Sequence, residues 1–67
     1  MRNNFYWEVY YGPVLTGFPY METFATEEEA TFYIHEQTGA REIAEDHIYI
    51  NFMTNQEYYY VRANNKD

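Results

Sequence analysis

Residues 26–39 read Thr-Glu-Glu-Glu-Ala-Thr-Phe-Tyr-Ile-His-Glu-Gln-Thr-Gly, and this stretch decides the fold. Thr26 followed three residues later by Glu29 is a capping box. Its hydroxyl and carboxylate satisfy amides that the first helical turn leaves unpaired. Glu27, Glu28 and Glu29 also place negative charge at the positive end of the helix dipole. Ala30, Tyr33, Ile34 and Gln37 recur at helical spacing, with Phe32 beside that stripe. Gly39 stands where a left-handed residue closes a helix. The spacing predicts a helix over 27–38.

On either side the pattern changes to that of strands. Phe5 to Tyr11 is aromatic and β-branched, without Gly or Pro. Phe5, Trp7, Val9 and Tyr11 would share one face of such a strand, and Tyr6, Glu8 and Tyr10 the other. Gly12-Pro13 and Gly17 mark residues 12–17 as a hairpin loop. A second strand is expected over 18–24, with Pro19 near its start pointing to a sheet edge. Residues 40–46 form a polar connection in which Ile43 is the one large apolar side chain. A third strand, 47–53, alternates Ile48, Ile50 and Phe52 with His47, Tyr49, Asn51 and Met53. Residues 54–56 read as a turn, 57–63 as a fourth strand, and 64–67 as a polar, frayed tail. The expectation is one α+β domain spanning 1–67, in the order β-β-α-β-β, with the helix packed across one face of an antiparallel sheet. The expected core is Phe5, Trp7, Val9, Ile48, Ile50, Phe52, Tyr59 and Val61.

A chain of 67 residues buries only about 60% of its unfolded surface, so such domains lean on a staple or on bulky side chains. Disulfides and thiolate metal sites are excluded because there is no cysteine. Nine Tyr, five Phe and one Trp supply the bulk instead, each ring burying about 150–250 Å². Self-association into a homodimer is a second source of stability. The first twenty residues lack a signal-peptide pattern, and no run approaches the roughly 18 apolar residues that span a bilayer. With no cysteine to oxidise, a soluble cytoplasmic protein is expected.

The net charge of −7 is unevenly placed. Glu22, Glu27, Glu28, Glu29, Glu36, Glu42, Glu45 and Asp46 face only Arg41 in the window 22–46, which therefore carries the whole excess. Outside it, Glu8, Glu57 and Asp67 are matched by Arg2, Arg62 and Lys66. Such a field repels nucleic acid and anionic membranes and attracts basic surfaces. Direct nucleic-acid and membrane binding are not expected.

Catalytic groups are scarce. With neither Ser nor Cys, the two commonest nucleophiles are missing, and the one lysine, Lys66, is in the tail. His35, His47 and the carboxylates are the remaining acids and bases, and no phosphate loop, HExxH or EF-hand pattern occurs. A non-enzyme without cofactor is expected. Glu42, Glu45, Asp46 and His47 lie close in sequence and have the donor types of a hard-metal site, but without a defined spacing a solvated acidic loop is the expectation.

The aromatic runs 5–7, 10–11 and 58–60 must divide between core and surface, because strand side chains alternate. One helix covers one sheet face, so about half of these rings are expected to meet solvent or a partner. Tyrosine and tryptophan suit interfaces. In size and composition, though in no alignable motif, the chain resembles the small acidic accessory inhibitors of bacteriophages, such as anti-CRISPR or anti-restriction proteins. That resemblance implies a DNA mimic: a non-catalytic inhibitor occupying the basic nucleic-acid-binding surface of a host protein. The expected contact residues are Glu22, Glu27, Glu28, Glu29, Glu36, Glu42, Glu45 and Asp46, with Tyr49, Tyr58 and Tyr60 from an uncovered sheet face. The alternative for the acidic window is a solvated face that keeps the domain in solution. A different class of function is a self-assembling module joined through a tyrosine-rich sheet interface. A small-ligand site between helix and sheet, near Trp7 and Tyr33, is a third, although a chain this size has little room for a pocket of about 300 Å³.

Overall fold

The computed structural model describes residues 5–43 and 47–64. Thr26 caps the helix α1 (Glu27–Thr38) as the sequence predicts: its Oγ1 accepts from Glu29 N at 3.1 Å. Glu29 Oε1 reaches back one residue further than a standard box, to Ala25 N at 3.2 Å. At the other end Gly39 adopts φ 68° and donates its N–H to the His35 carbonyl at 2.8 Å.

The strands are β1 (Phe5–Pro13), β2 (Tyr20–Phe24), β3 (Glu42–Ile43), β4 (Ile48–Asn51) and β5 (Gln56–Asn64). They form one antiparallel sheet in the order β2-β1-β5-β4-β3. The fold is a small α+β fold with one five-stranded sheet and a single helix among the described residues. Five strands replace the expected four, because Glu42 and Ile43 leave the polar connection to pair with Tyr49 and Ile48. Several boundaries move as well. β1 runs on through Gly12 and Pro13, β2 begins at Tyr20, β4 ends at Asn51, and Asn64 belongs to β5 rather than to a tail. Residues 65–67 lie outside the described residues.

The helix lies over the face built by Trp7, Val9 and Tyr11, which carries the expected core residues Trp7 and Val9. Val9 pairs with Tyr60 and Tyr11 with Tyr58, while Tyr49 pairs with Tyr58. Residues directly opposite one another share a face, so Tyr49, Tyr58 and Tyr60 lie beneath the helix. The core is Val9, Ala30, Ile34 and Tyr58, with Trp7, Tyr11, Phe24, Tyr33, Tyr49 and Tyr60 packed round it. This inverts β4 and β5 relative to the expected core. Ile48, Ile50, Tyr59 and Val61 occupy the opposite face, and Phe52 is in the turn after β4, exposed. Ile50 is buried, but outside the helix-side cluster.

The physical reason lies in the helix. Its inward side chains, Ala30, Ile34 and Thr38, are short, so large rings must fill the layer between helix and sheet. Tyrosine does this with its ring while its hydroxyl reaches the rim: Tyr60 Oη donates to Glu27 Oε2 at 3.2 Å. The rings interlock, with Tyr11 stacked on Tyr58 at 5.4 Å and Tyr33 set edgewise to Tyr58 at 6.3 Å.

Candidate functional site

Two unlike surfaces result, one on each side of the sheet. The helix side is acidic. Glu27, Glu28, Glu29 and Glu36 are carried by α1 and exposed. Glu22 joins them from β2, since it pairs with the core residue Val9. Glu42 joins from β3, opposite Tyr49. Among the described residues, register places one guanidinium, Arg62, on this face, and it lies over the Phe5 ring at 4.9 Å. The remaining two acids of the expected site, Glu45 and Asp46, lie outside the described residues.

Several of these carboxylates have intramolecular duties. Glu29 caps the helix, Glu27 accepts from Tyr60, and Glu42 Oε2 lies 3.2 Å from His47 Nδ1. Glu22, Glu28 and Glu36 have no side-chain hydrogen bond among the described residues, so their charge is directed at solvent. Of the four residues with metal-donor chemistry in the acidic loop, Glu42 and His47 come together. No group of three or more His, Asp or Glu side chains able to hold a metal occurs among the described residues.

Tyr49, Tyr58 and Tyr60 do not belong to an uncovered face. Tyr58 is 5% exposed, and the other two are half-buried under the helix. Burial is the largest cause raising the pKa of all three, joined by Tyr11 for Tyr58, by Glu42 for Tyr49 and by Glu27 for Tyr60. Tyr33 is pushed up to about 12, first by burial and then by Tyr11, Tyr58 and Glu22. These tyrosines are neutral hydroxyl donors at physiological pH.

The opposite face is aromatic and aliphatic, and its tyrosines are others: Tyr6, Tyr10 and Tyr59. Tyr10 stacks on Tyr59 with centroids 5.4 Å apart and planes 15° apart. The β1–β2 loop folds onto this face and sets Phe18 edgewise against Tyr59 at 4.7 Å. Gly12 lies beneath that loop; a Cβ there would meet Pro19 Cδ at 2.4 Å and the Gly17 carbonyl at 2.6 Å. Near the centre of the face Glu8 accepts from Tyr6 Oη at 3.1 Å and from Tyr10 Oη at 2.8 Å. Those bonds are the first cause raising both phenol pKa values. Met21, Ile43 and Val61 complete the face at 45%, 41% and 39% exposure.

The alternation of Tyr6, Glu8 and Tyr10 was the visible signal for this face. What the alternation lacked was any sign that the three side chains meet. Space for a ligand also falls elsewhere than expected. Rings fill the layer near Trp7 and Tyr33, whereas an open groove of about 460 Å³ lies against Tyr6, Thr23, Phe24 and Ala25. No helix among the described residues is long and apolar enough to cross a membrane. No protein-family model, curated protein or solved structure matches this chain.

Proposed function

We propose that this protein is a non-catalytic binding module that lays its acidic helix side on the basic, nucleic-acid-binding surface of a host protein. The observation that supports this reading is the sorting of charge by layer. Glu22, Glu27, Glu28, Glu29, Glu36 and Glu42 come from three elements yet lie on one side of the sheet, where register places one arginine among the described residues. Carboxylates on a rigid helix and its flanking strands form a ridge that arginine and lysine side chains can pair with in place of phosphates. The biological role would be that of a phage-type inhibitor, anti-CRISPR or otherwise anti-defence, acting in the cytoplasm.

The test is capture from bacterial lysate on immobilised protein, followed by nucleic-acid competition. The reading expects a nucleic-acid-processing protein that is shed at high salt and displaced by DNA or RNA. Replacing Glu22, Glu28 and Glu36 together by Lys should abolish capture, because these three have no side-chain partner within the described fold. Unchanged binding and salt dependence after that triple reversal would end the mimicry reading.

A second reading is favoured by the exposed Met21, Ile43 and Val61 on the opposite face. Two copies pairing through that face would bury these side chains, giving a self-assembling module. Light scattering decides it, since a strict monomer at high concentration is incompatible with this reading.

A further inference from the structure

The acidic helix side does not account for the carboxylate on the other face. Glu8 has Thr23 opposite it on β2 and Val61 opposite it on β5. Tyr6 and Tyr10 flank it along β1, and each hydroxyl donates to a different oxygen of the carboxylate. Among the described residues no Lys, Arg or His nitrogen lies within salt-bridge distance of Glu8.

The count of donors defines what can bind. A phenolic hydroxyl has one hydrogen, and here both hydrogens are directed at Glu8. The trio therefore turns only acceptors outward: the remaining lone pairs of the carboxylate and those of two phenolic oxygens. A guanidinium matches this, with five N–H donors in a plane, no acceptor, and a flat face that stacks on rings. An ammonium is a compact, strongly hydrated point charge and matches it less well. The ring wall is held in place, since Tyr10 stacks on Tyr59 and Tyr59 is braced by Phe18. Next to Tyr6, the open groove reaches Thr23, the residue paired with Glu8, and Ala25. It leaves room for the backbone that would carry the cation.

We infer that Glu8, Tyr6 and Tyr10 form a receptor for an arginine side chain of a partner polypeptide, whose neighbouring residues lie in the groove at Thr23 and Ala25. This inference rests on the protein-binding reading and adds a second contact surface on the side away from the helix.

The experiment is an NMR titration of the isotope-labelled protein with the end-blocked peptide Gly-Arg-Gly. Gly-Lys-Gly and free arginine serve as the comparison ligands. The expected result is shift changes confined to Tyr6–Tyr10, Thr23, Ala25 and Tyr59, with the lysine peptide and free arginine both binding more weakly. Glu8→Gln, which keeps the side-chain shape, should weaken the arginine peptide about tenfold, the loss of one charge-assisted pairing. Tyr6→Phe, a second variant that keeps the ring, should weaken it by a smaller factor. Equal responses to lysine and arginine peptides would overturn the inference, as would equal binding of free arginine, shifts centred on the helix, or an unaffected Glu8→Gln. Glu28→Gln separates the two readings, because it should leave this titration unchanged. A host protein that binds through the helix side while the peptide leaves Glu8 unmoved sinks this inference alone.

Discussion

Asn51, at the end of β4, donates its Nδ2 to the Gln37 carbonyl in the last turn of the helix, at 2.6 Å. Its Oδ1 simultaneously accepts from Met53 N at 2.9 Å and Thr54 N at 3.1 Å. One side chain thus occupies a helix-end carbonyl and shapes the turn into β5. Asn51→Ala should destabilise the domain by about 2–3 kcal/mol in urea denaturation, given about 1 kcal/mol for each hydrogen bond lost. Asn51→Asp keeps both acceptors but sets a carboxylate against the negative end of the helix dipole. Its deficit should shrink as acid protonates the carboxyl and restores a donor.

Gly12 and Pro19 make the second prediction. A methyl group at residue 12 has no room beneath the β1–β2 loop, and the obstructing Gly17 carbonyl is backbone. Gly12→Ala should cost about 1–3 kcal/mol and detach Phe18 from Tyr59, visible as loss of the ring-current shifts of Tyr59. Gly17→Ala meets nothing within 4 Å but must hold φ at 87°. It should cost about 1 kcal/mol and leave the Phe18–Tyr59 contact intact.

Neighbouring tyrosines on β5 should respond very differently. Tyr58 is 5% exposed and touches rings of β1 and the helix, so Tyr58→Ala opens a core cavity. A loss of about 3–5 kcal/mol is expected, a large part of the total stability of a small domain at about 0.1 kcal/mol per residue. Tyr59→Ala removes a half-buried ring from the open face and should cost clearly less. Equal losses, measured by thermal unfolding, would contradict the register.

The buried tyrosines also set an alkaline limit. Tyr33 titrates at about 12 in the folded protein, whereas a tyrosine in the unfolded chain titrates near 10. The unfolded state therefore sheds its protons first as pH rises, and the folded state is progressively disfavoured. This contribution to stability is complete below about pH 10 and lost as pH climbs to about 12. Tyr49, Tyr58 and Tyr60 add to it in the same direction. Denaturant midpoints should be flat below that window and fall within it, with a shallower fall in Tyr33→Phe. Near-ultraviolet tyrosinate absorbance gives the titration directly.

Helix α1 could be read from the chain residue by residue, because Thr26, Glu29 and Gly39 act through local backbone geometry. The same holds for the split of β1, where Val9 is the one β-branched residue in the strand and Trp7 and Tyr11 lie on its side. The acidic segment was equally plain as composition. Its gathering on one side of the sheet was not, since Glu22 and Glu42 reach that side only through their pairing with Val9 and Tyr49.

The faces of β4 and β5 were a tertiary decision. In Tyr58-Tyr59-Tyr60 the alternation carries no information, because neighbours on opposite faces are identical. In β4 the apolar Ile48 and Ile50 pointed to the wrong face. A slip of one residue exchanges every side chain of a strand between faces, and no local preference opposed it. What chose the register was volume: Ala30, Ile34 and Thr38 leave a layer that rings fill, and Asn51 must face the helix to reach Gln37. Short-range hydrogen bonding lies within a few residues of sequence and is written there; the fit of rings beneath a small helix exists only once the strands are paired.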